Sequence, residues 1–236
     1  MLMSKDKALC LIPARGGSKR ILRKNIKPFL GSPIIDYPIN AAACFSGFDK
    51  IVVSTDDQEI ADYITKSNKA EVPFIRPKDI SDDNTPLYEV ILHAYNFYMS
   101  QGIRYENICC ILPTAVFTKY TDLRLAKILV DSPKGRAVAA SVTEVDRIAH
   151  RYLKMSEDGS LRMLSEEHRL TRTSDLPPLY KDAGQFYWIN MNKFLAGGCQ
   201  LFSKDTVGVY LNKAIDIDTE DDWAVAEAYL KAVEDD

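Results

Sequence analysis

An apolar run, Ala8 to Ile12, that stops at Pro13-Ala14-Arg15-Gly16-Gly17-Ser18-Lys19-Arg20 constrains this chain more than any other segment. An unbroken apolar run of this length reads as a strand buried on both faces, and such strands belong to parallel sheets covered by helices. The break into paired glycines lets backbone N–H groups approach a ligand closely. Arg15, Lys19 and Arg20 bring positive charge to the same strand end. A triphosphate site needs that combination. The segment is not a P-loop, because GxxxxGK[ST] does not fit, and it is not a Rossmann GxGxxG turn. Six cations lie between Arg15 and Lys27, so a solvated basic loop or a nucleic-acid patch is the rival reading. Within the run Lys19 sits inside the glycine turn, and it is expected to matter more than Lys24 or Lys27.

Composition bears on that rivalry. The 236 residues carry 30 basic and 33 acidic side chains, a net charge of −3, so no general polyanion-binding surface is implied and the basic run is a local exception. With 46% apolar and 27% charged residues the chain reads as a soluble globular protein with a sizeable core. The five cysteines form no CxxC pair, and Cys10, Cys109 and Cys110 sit in apolar runs, which points to reduced core thiols and a cytoplasmic protein. The three histidines, His93, His150 and His168, have no zinc spacing. No signal peptide and no apolar stretch near the length of a membrane span are evident.

Strand-like and helix-like periods alternate through the first half. Strands are expected at 8–12, 50–54, 72–75 and 107–112, with helices around 34–45, 57–67, 86–101 (Thr85 as a cap) and 121–130. Ser54-Thr55-Asp56-Asp57 reads as a strand-to-helix turn in which Thr55 or Asp56 caps. Later strands are expected at 137–142, 185–189 and 213–217, followed by a closing helix at 221–232. This pattern predicts an α/β fold, a mostly parallel Rossmann-like sheet with helices on both faces. The chain is expected to form a single domain over residues 1–236. From about 150 to 180 the sequence turns polar and rich in turn signals, so a small inserted subdomain is expected there, packing on a second copy of the chain.

Two later segments carry chemistry. In Ile215-Asp216-Ile217-Asp218-Thr219, alternation puts Asp216 and Asp218 on one face and the isoleucines on the other. Two such carboxylates can share a divalent cation, because Mg²⁺ takes only one or two protein carboxylates when phosphate oxygens complete its shell. Thr219-x-x-Asp222 also resembles a capping box, which accounts for Asp218 or Thr219 but not Asp216. In Tyr180-Lys181-Asp182-Ala183-Gly184-Gln185-Phe186-Tyr187-Trp188, a glycine turn enters an aromatic strand whose polar groups suit a sugar acid. Arg76-Pro77, followed by Ser81-Asp82-Asp83-Asn84-Thr85, makes a cationic strand end and a polar loop.

Taken together, Ile12-Pro13-Ala14-Arg15-Gly16-Gly17-Ser18-Lys19 with Lys24-Asn25, the late D-x-D and the D-A-G-Q-F-Y segment resemble the cytidylyltransferases that activate nonulosonic (sialic-type) acids. Within that family the chain is most similar to the branch that uses pseudaminic acid. The resemblance implies a nucleotide-diphospho-sugar transferase fold and a reaction of CTP with a nine-carbon sugar acid for bacterial surface glycans. It implies Arg15, Lys19, Asp216 and Asp218 as catalytic, and nucleotide contacts from Ala14, Arg15, Gly16, Gly17, Ser18, Lys19, Asn25 and Arg76. It further implies sugar-acid contacts from Arg172, Asp182, Gln185 and Tyr187, and Mg²⁺ or another divalent cation on Asp216 and Asp218. The expected partners are the two substrates and a second protomer, with no nucleic acid and no membrane. Leu22 stands where family members carry proline. Leu112 and Val116 replace residues of the segment that reads the pyrimidine. N-acetylneuraminic or legionaminic acid is the alternative substrate, and a non-catalytic phosphate- or nucleic-acid-binding module is the alternative class.

Overall fold

A computed structural model describes residues 8–234. In chain order the elements are β1 (Ala8–Pro13), a ribbon of β2 (Pro28–Phe29) and β3 (Ser32–Pro33), α1 (Asp36–Cys44), β4 (Phe48–Ser54) and α2 (Gln58–Ser67). Then come α3 (Leu87–Ser100), β5 (Asn107–Ile111), α4 (Tyr120–Asp131), β6 (Val138–Val145), the pair β7 (Leu153–Met155) and β8 (Leu161–Met163), and β9 (Leu179–Asn190). The chain continues with α5 (Met191–Ala196), β10 (Thr206–Tyr210) and α6 (Glu220–Glu234).

Six strands form the main sheet in the order β10-β6-β9-β5-β1-β4. β1 pairs in parallel with both β4 and β5, and β10 pairs in parallel with β6. β9 runs antiparallel between β5 and β6. Alternation along β1 builds a core on each face. Ala8, Cys10 and Ile12 enter one cluster with residues of α1, α2 and α4, while Leu9 and Leu11 enter another with residues of α3 and α5. The α/β class and the mostly parallel sheet expected from the sequence are present. Cys10, Cys109 and Cys110 are buried and free, and burial pushes the Cys110 thiol up to about 12.

Two expected strands are absent. Over 72–75 only isolated parallel bridges form, Val52 to Glu71 and Thr55 to Ile75, because Pro73 between them has no N–H to donate. Over 213–217 the period-two pattern belongs to an extended segment rather than a ladder strand; the edge of the sheet is β10, paired with β6. Two caps also differ. α2 is capped by Asp57, which accepts from the Ile60 N–H at 3.1 Å. Thr55 serves the same turn, accepting from the Asp57 N–H at 3.1 Å. Thr85 does not cap α3, because Pro86 takes that place and the Thr85 hydroxyl turns to Asp82.

A third apolar cluster lies under the carboxyl ends of β1 and β5. Ile21, Phe29, Ile34, Val116, Phe117, Ile217, Trp223 and Ala226 meet there, joining segments from both ends of the sequence.

Candidate active site

At the carboxyl ends of β1 and β5 the loops open around a cavity of about 300 Å³. Parallel sheets bind ligands at this end because the loops diverge there. Arg15, Ser18, Lys19, Arg20 and Lys24 line one side, Asp216 and Asp218 another, and Arg76 with Ser81, Asp82 and Asp83 a third. Leu112, Pro113 and Thr114 contribute a further, less polar wall. The remaining cations of the basic run point elsewhere. Arg23 pairs with Asp57 at 2.9 Å and with Glu59, and Lys27 pairs with Glu220 at 2.6 Å. The run is therefore divided between cations that line the cavity and cations paired away from it.

The glycine turn is held from below. The Gly16 N–H donates to Asp56 Oδ1 at 3.0 Å, and the same carboxylate faces the Arg76 guanidinium at 3.8 Å. A Cβ at position 16 would stand 2.3 Å from Asp57 Oδ2, so only glycine fits where the loop crosses the cap of α2. Arg23, with φ of 56°, adopts a left-handed conformation that its ion pair with Asp57 helps to hold. Asn25 donates to the Arg15 carbonyl at 2.8 Å and is buried, and it both shapes the loop and lines the cavity. Ile21 is 1% exposed and anchors the turn in the third cluster, whereas Leu22 is 78% exposed and anchors nothing. Arg76 is 3% exposed. Its backbone N–H bonds Thr55 and its Nε donates to Ser81 Oγ at 3.1 Å. Burial pulls its guanidinium below the usual range, and Asp56 works in the opposite direction.

On the acidic side Ile217 is wholly buried and its neighbours Asp216 and Asp218 turn out to the cavity. The expected Thr219-x-x-Asp222 capping box is present: Asp222 accepts from the Asp218 and Thr219 N–H groups, and Thr219 Oγ1 accepts from the Asp222 N–H. Neither aspartate of the pair is consumed as a cap. Asp218 faces Arg20 at 2.8 Å and Lys24 at 3.4 Å, and Lys24 also donates to the Ile217 carbonyl at 2.5 Å. The crowding of protein atoms around Asp216 first, and the charge of Asp218 second, hold its carboxyl above the ordinary carboxylate range. Gly184 has φ of 61°, and a Cβ there would stand 3.3 Å from the Asp216 carboxyl, so glycine keeps room for that acid.

The expected sugar-acid residues separate into three groups. Because β9 is antiparallel, its first residues, not its last, reach the rim where the parallel strands end. Asp182, near the start of β9, accepts from the hydroxyl of buried Tyr187, and neither side chain lines the cavity. The charge of Asp182 adds to the raising of Asp216, and burial first and Asp182 second push the Tyr187 hydroxyl up. Gln185 does not line the cavity. It is 0% exposed, accepts from the Phe117 N–H at 3.2 Å and donates to the Ala183 and Gly184 carbonyls at 3.3 Å. Arg172 precedes a short 3₁₀ turn in the exposed segment between β8 and β9 and does not line the cavity within one chain. Lys19 and Lys24 both line the cavity, Lys19 beside Asp83 and Lys24 beside the acidic segment. Lys24, Arg20, Asp56 and Asp83 lie in segments the sequence marks, but their individual partners follow only from the fold.

A family model described as cytidylyltransferase matches residues 9–235. The chain belongs to the cytidylyltransferase family. This cytidylyltransferase is 36% identical over 226 residues to the pseudaminic acid cytidylyltransferase of Campylobacter jejuni, an alignment covering 95% of this chain and 97% of the relative. It is 29% identical to the CMP-N,N'-diacetyllegionaminic acid synthase of Legionella pneumophila, over 94% of this chain and 96% of that one. The solved structure of CMP:2-keto-3-deoxy-manno-octonic acid synthetase complexed with CTP superposes with a TM-score of 0.70, covering 96% of this chain and 99% of that one. At 13% identity this last likeness bears on the fold alone. Among the described residues of this cytidylyltransferase no helix is long and apolar enough to cross a membrane.

Proposed function

We propose that this cytidylyltransferase transfers the CMP moiety of CTP to the anomeric hydroxyl of a nine-carbon 2-keto sugar acid, pseudaminic acid, releasing pyrophosphate. The observation that carries this reading is a cavity lined by Arg15, Lys19, Arg20 and Lys24 together with Asp216 and Asp218, with Arg20 2.8 Å from Asp218. The D-A-G-Q-F-Y segment at its rim and the identity with the Campylobacter relative support the choice of acid.

In the proposed reaction the hydroxyl oxygen attacks the α-phosphorus in line. A P–O bond forms to the sugar, the bond to the β-phosphate breaks, and the hydroxyl proton is lost to solvent. Arg15, Ser18 and Lys19 bind the triphosphate, and the backbone of Ala14, Gly16 and Gly17 shapes the turn they stand on. Arg76 adds charge from beneath, and Asn25 holds the loop. Most of the rate in such a transfer comes from positioning and from charge placed where the leaving pyrophosphate develops its own.

The residues present fit a hard divalent cation such as Mg²⁺. Asp216 and Asp218 crowd each other electrostatically, and among the described residues no third His, Cys, Asp or Glu joins them in a metal-sized group. Phosphate oxygens and water would complete the shell. When bound, the cation neutralises phosphate charge and lowers the barrier to displacement. Asp182 and Tyr187 are proposed to meet the acid at the rim of β9. Arg172 would reach it only from an arm swung in or from a second protomer.

We also infer a single domain with an arm over about 150–180, and a homodimer built on that arm. Leu153, Met155, Leu161, Leu164 and Leu170 are all more than half exposed on it, an amount of bare apolar side chain that favours a protein partner. Free buried thiols support a cytoplasmic location, and the overall negative charge argues against nucleic acid. The deciding experiment is pyrophosphate release from CTP and Mg²⁺ with pseudaminic, N,N'-diacetyllegionaminic and N-acetylneuraminic acids. The reading expects the highest kcat/KM with pseudaminic acid, and a clear preference for either other acid would overturn that choice while keeping the cytidylyl transfer.

A further inference from the structure

The loop Ser81–Thr85 places an acid where the triphosphate is assigned. Asp83 Oδ1 meets Arg15 Nη1 at 2.5 Å, and its other oxygen meets Lys19 Nζ at 2.5 Å. One carboxylate thus bridges the two cations of the glycine loop. The loop that carries it is shaped for the task. Asp82 accepts from the Asn84 and Thr85 N–H groups at 2.9 and 2.7 Å and from the Thr85 hydroxyl, which closes the turn, and Ser81 is tied to buried Arg76. Among the described residues Asp83 shows no hydrogen bond within the turn, and its carboxylate reaches across the cavity. The neighbouring cations hold its carboxyl below the usual range, Lys19 most and Arg15 next.

We propose that Asp83 is a built-in phosphate mimic: it occupies the phosphate-binding cations of the ligand-free enzyme and sets which anions can enter by making each of them compete with it. This rests on the assignment of Arg15 and Lys19 to the triphosphate. The side chains of Asp83 and Lys19 are 39% and 80% exposed, and ion pairs so open to water shift equilibria by small factors. A triphosphate, with several charges and many acceptor oxygens, displaces such a partner readily. A single phosphate or sulfate gains much less over the carboxylate it would replace. Asp83 therefore lowers the affinity of every anion for these cations by a common factor, so at a given concentration a singly bound phosphate is kept out while a polyphosphate still binds, and it leaves the base to other walls of the cavity.

The test is calorimetric binding of CTP, inorganic tripolyphosphate and cytidine, with chelator and without divalent cation, to the wild type, Asp83→Asn and Arg15→Ala. Removing one carboxylate that bridges half-buried Arg15 and exposed Lys19 should tighten CTP and tripolyphosphate by about three- to tenfold at low ionic strength. The gain should shrink at about 0.5 M salt, and cytidine should be unchanged. Asp83→Ser is the second variant, and in both the melting temperature without ligand should fall slightly while the shift produced by CTP grows. Equal or weaker CTP binding in both Asp83 variants would overturn the proposal, showing a bystander or a residue that helps to hold the nucleotide. A gain seen with cytidine as well would overturn it too, because the effect would then not be one of charge. If Arg15→Ala bound CTP like the wild type, the triphosphate assignment would fail, and the competitor with it. If Arg15→Ala lost CTP and Asp83→Asn gained it, both would stand.

Discussion

Single residues set the charge balance of this site, and most of that balance is invisible to motif reading. Asp216 and Asp218 are legible because alternation with Ile215 and Ile217 places them on one face, and a buried Ile217 between them agrees. Their environments are not legible: Asp218 has Arg20 and Lys24 beside it, whereas Asp216 is held above its ordinary range by crowding and by Asp218. An ionised Asp216 therefore weakens the fold at neutral pH, and this penalty is absent below the ordinary carboxylate range, where the acid is protonated in both states. Asp216→Asn should leave the melting temperature equal or higher while reducing Mg²⁺-dependent pyrophosphate release on the order of a thousandfold. A stabilised variant with near wild-type turnover would remove Asp216 from the chemistry. Asp57 has the opposite sign. Burial works to raise its carboxyl, but the Ile60 N–H, Arg23 and the Glu59 N–H together hold it below the ordinary 3.8. Its contribution is then present above about pH 4 and is lost as pH falls through the depressed value. In Asp57→Asn the cap can persist while Arg23 keeps only Glu59 as its acidic partner. The difference in melting temperature from wild type should be present near neutral pH and close on acidification. Asp57→Ala should lose the cap as well, about 1 kcal/mol more.

At the scale of elements, helices were easier to place than strands because their apolar period runs over many residues. The strand expected at 72–75 contained its own refutation in Pro73, and the one expected at 213–217 has the right burial pattern without a ladder partner. Period two reports which side chains are inside, not what the backbone pairs with. Strand β9 shows the same limit. Its glycine and aromatic content marked it for the site, but only its antiparallel direction decides that Asp182 reaches the rim while Gln185 is enclosed. A sequence reading that takes Gln185 for a sugar ligand predicts that Gln185→Ala raises the KM of the acid alone. The enclosed amide predicts something else: the Phe117 N–H is orphaned, about 1–3 kcal/mol of stability is lost, and the loop after β5 shifts for both substrates. Saturation curves for CTP and for the acid on Gln185→Ala and Tyr187→Phe separate the two. Gln185→Ala should move both curves, and Tyr187→Phe only the curve for the acid.

For the whole molecule, neither the arm nor the third cluster can be read from local pattern, because each depends on surfaces that meet from distant parts of the chain. On the arm, Leu170 is 86% and Met155 72% exposed. Replacing both with glutamate should turn the proposed dimer into a monomer by light scattering, with the CTP site intact; an unchanged mass would place the interface elsewhere. Under the site, Trp223 of α6 packs edge-on against Phe29 at 5.2 Å, and Lys27 lies over its ring at 4.7 Å. Trp223 does not line the cavity, yet Trp223→Ala should cost about 3–5 kcal/mol and weaken CTP binding in proportion to the loosening of Ile21 and Ile217. Denaturant titration and calorimetry on one sample measure both. The same cluster has a consequence for biogenesis. Lys24 and the Ile217 carbonyl it bonds are 193 residues apart. At the usual pace of translation, about 5–20 residues per second, the basic loop emerges roughly 10–40 s before the acids and the helix that seat it. During that interval Arg20, Lys24 and Lys27 lack the C-terminal acids that face them in the folded chain, Asp218 and Glu220, while Asp57, Glu59 and Asp83 emerge early enough to meet the other three cations.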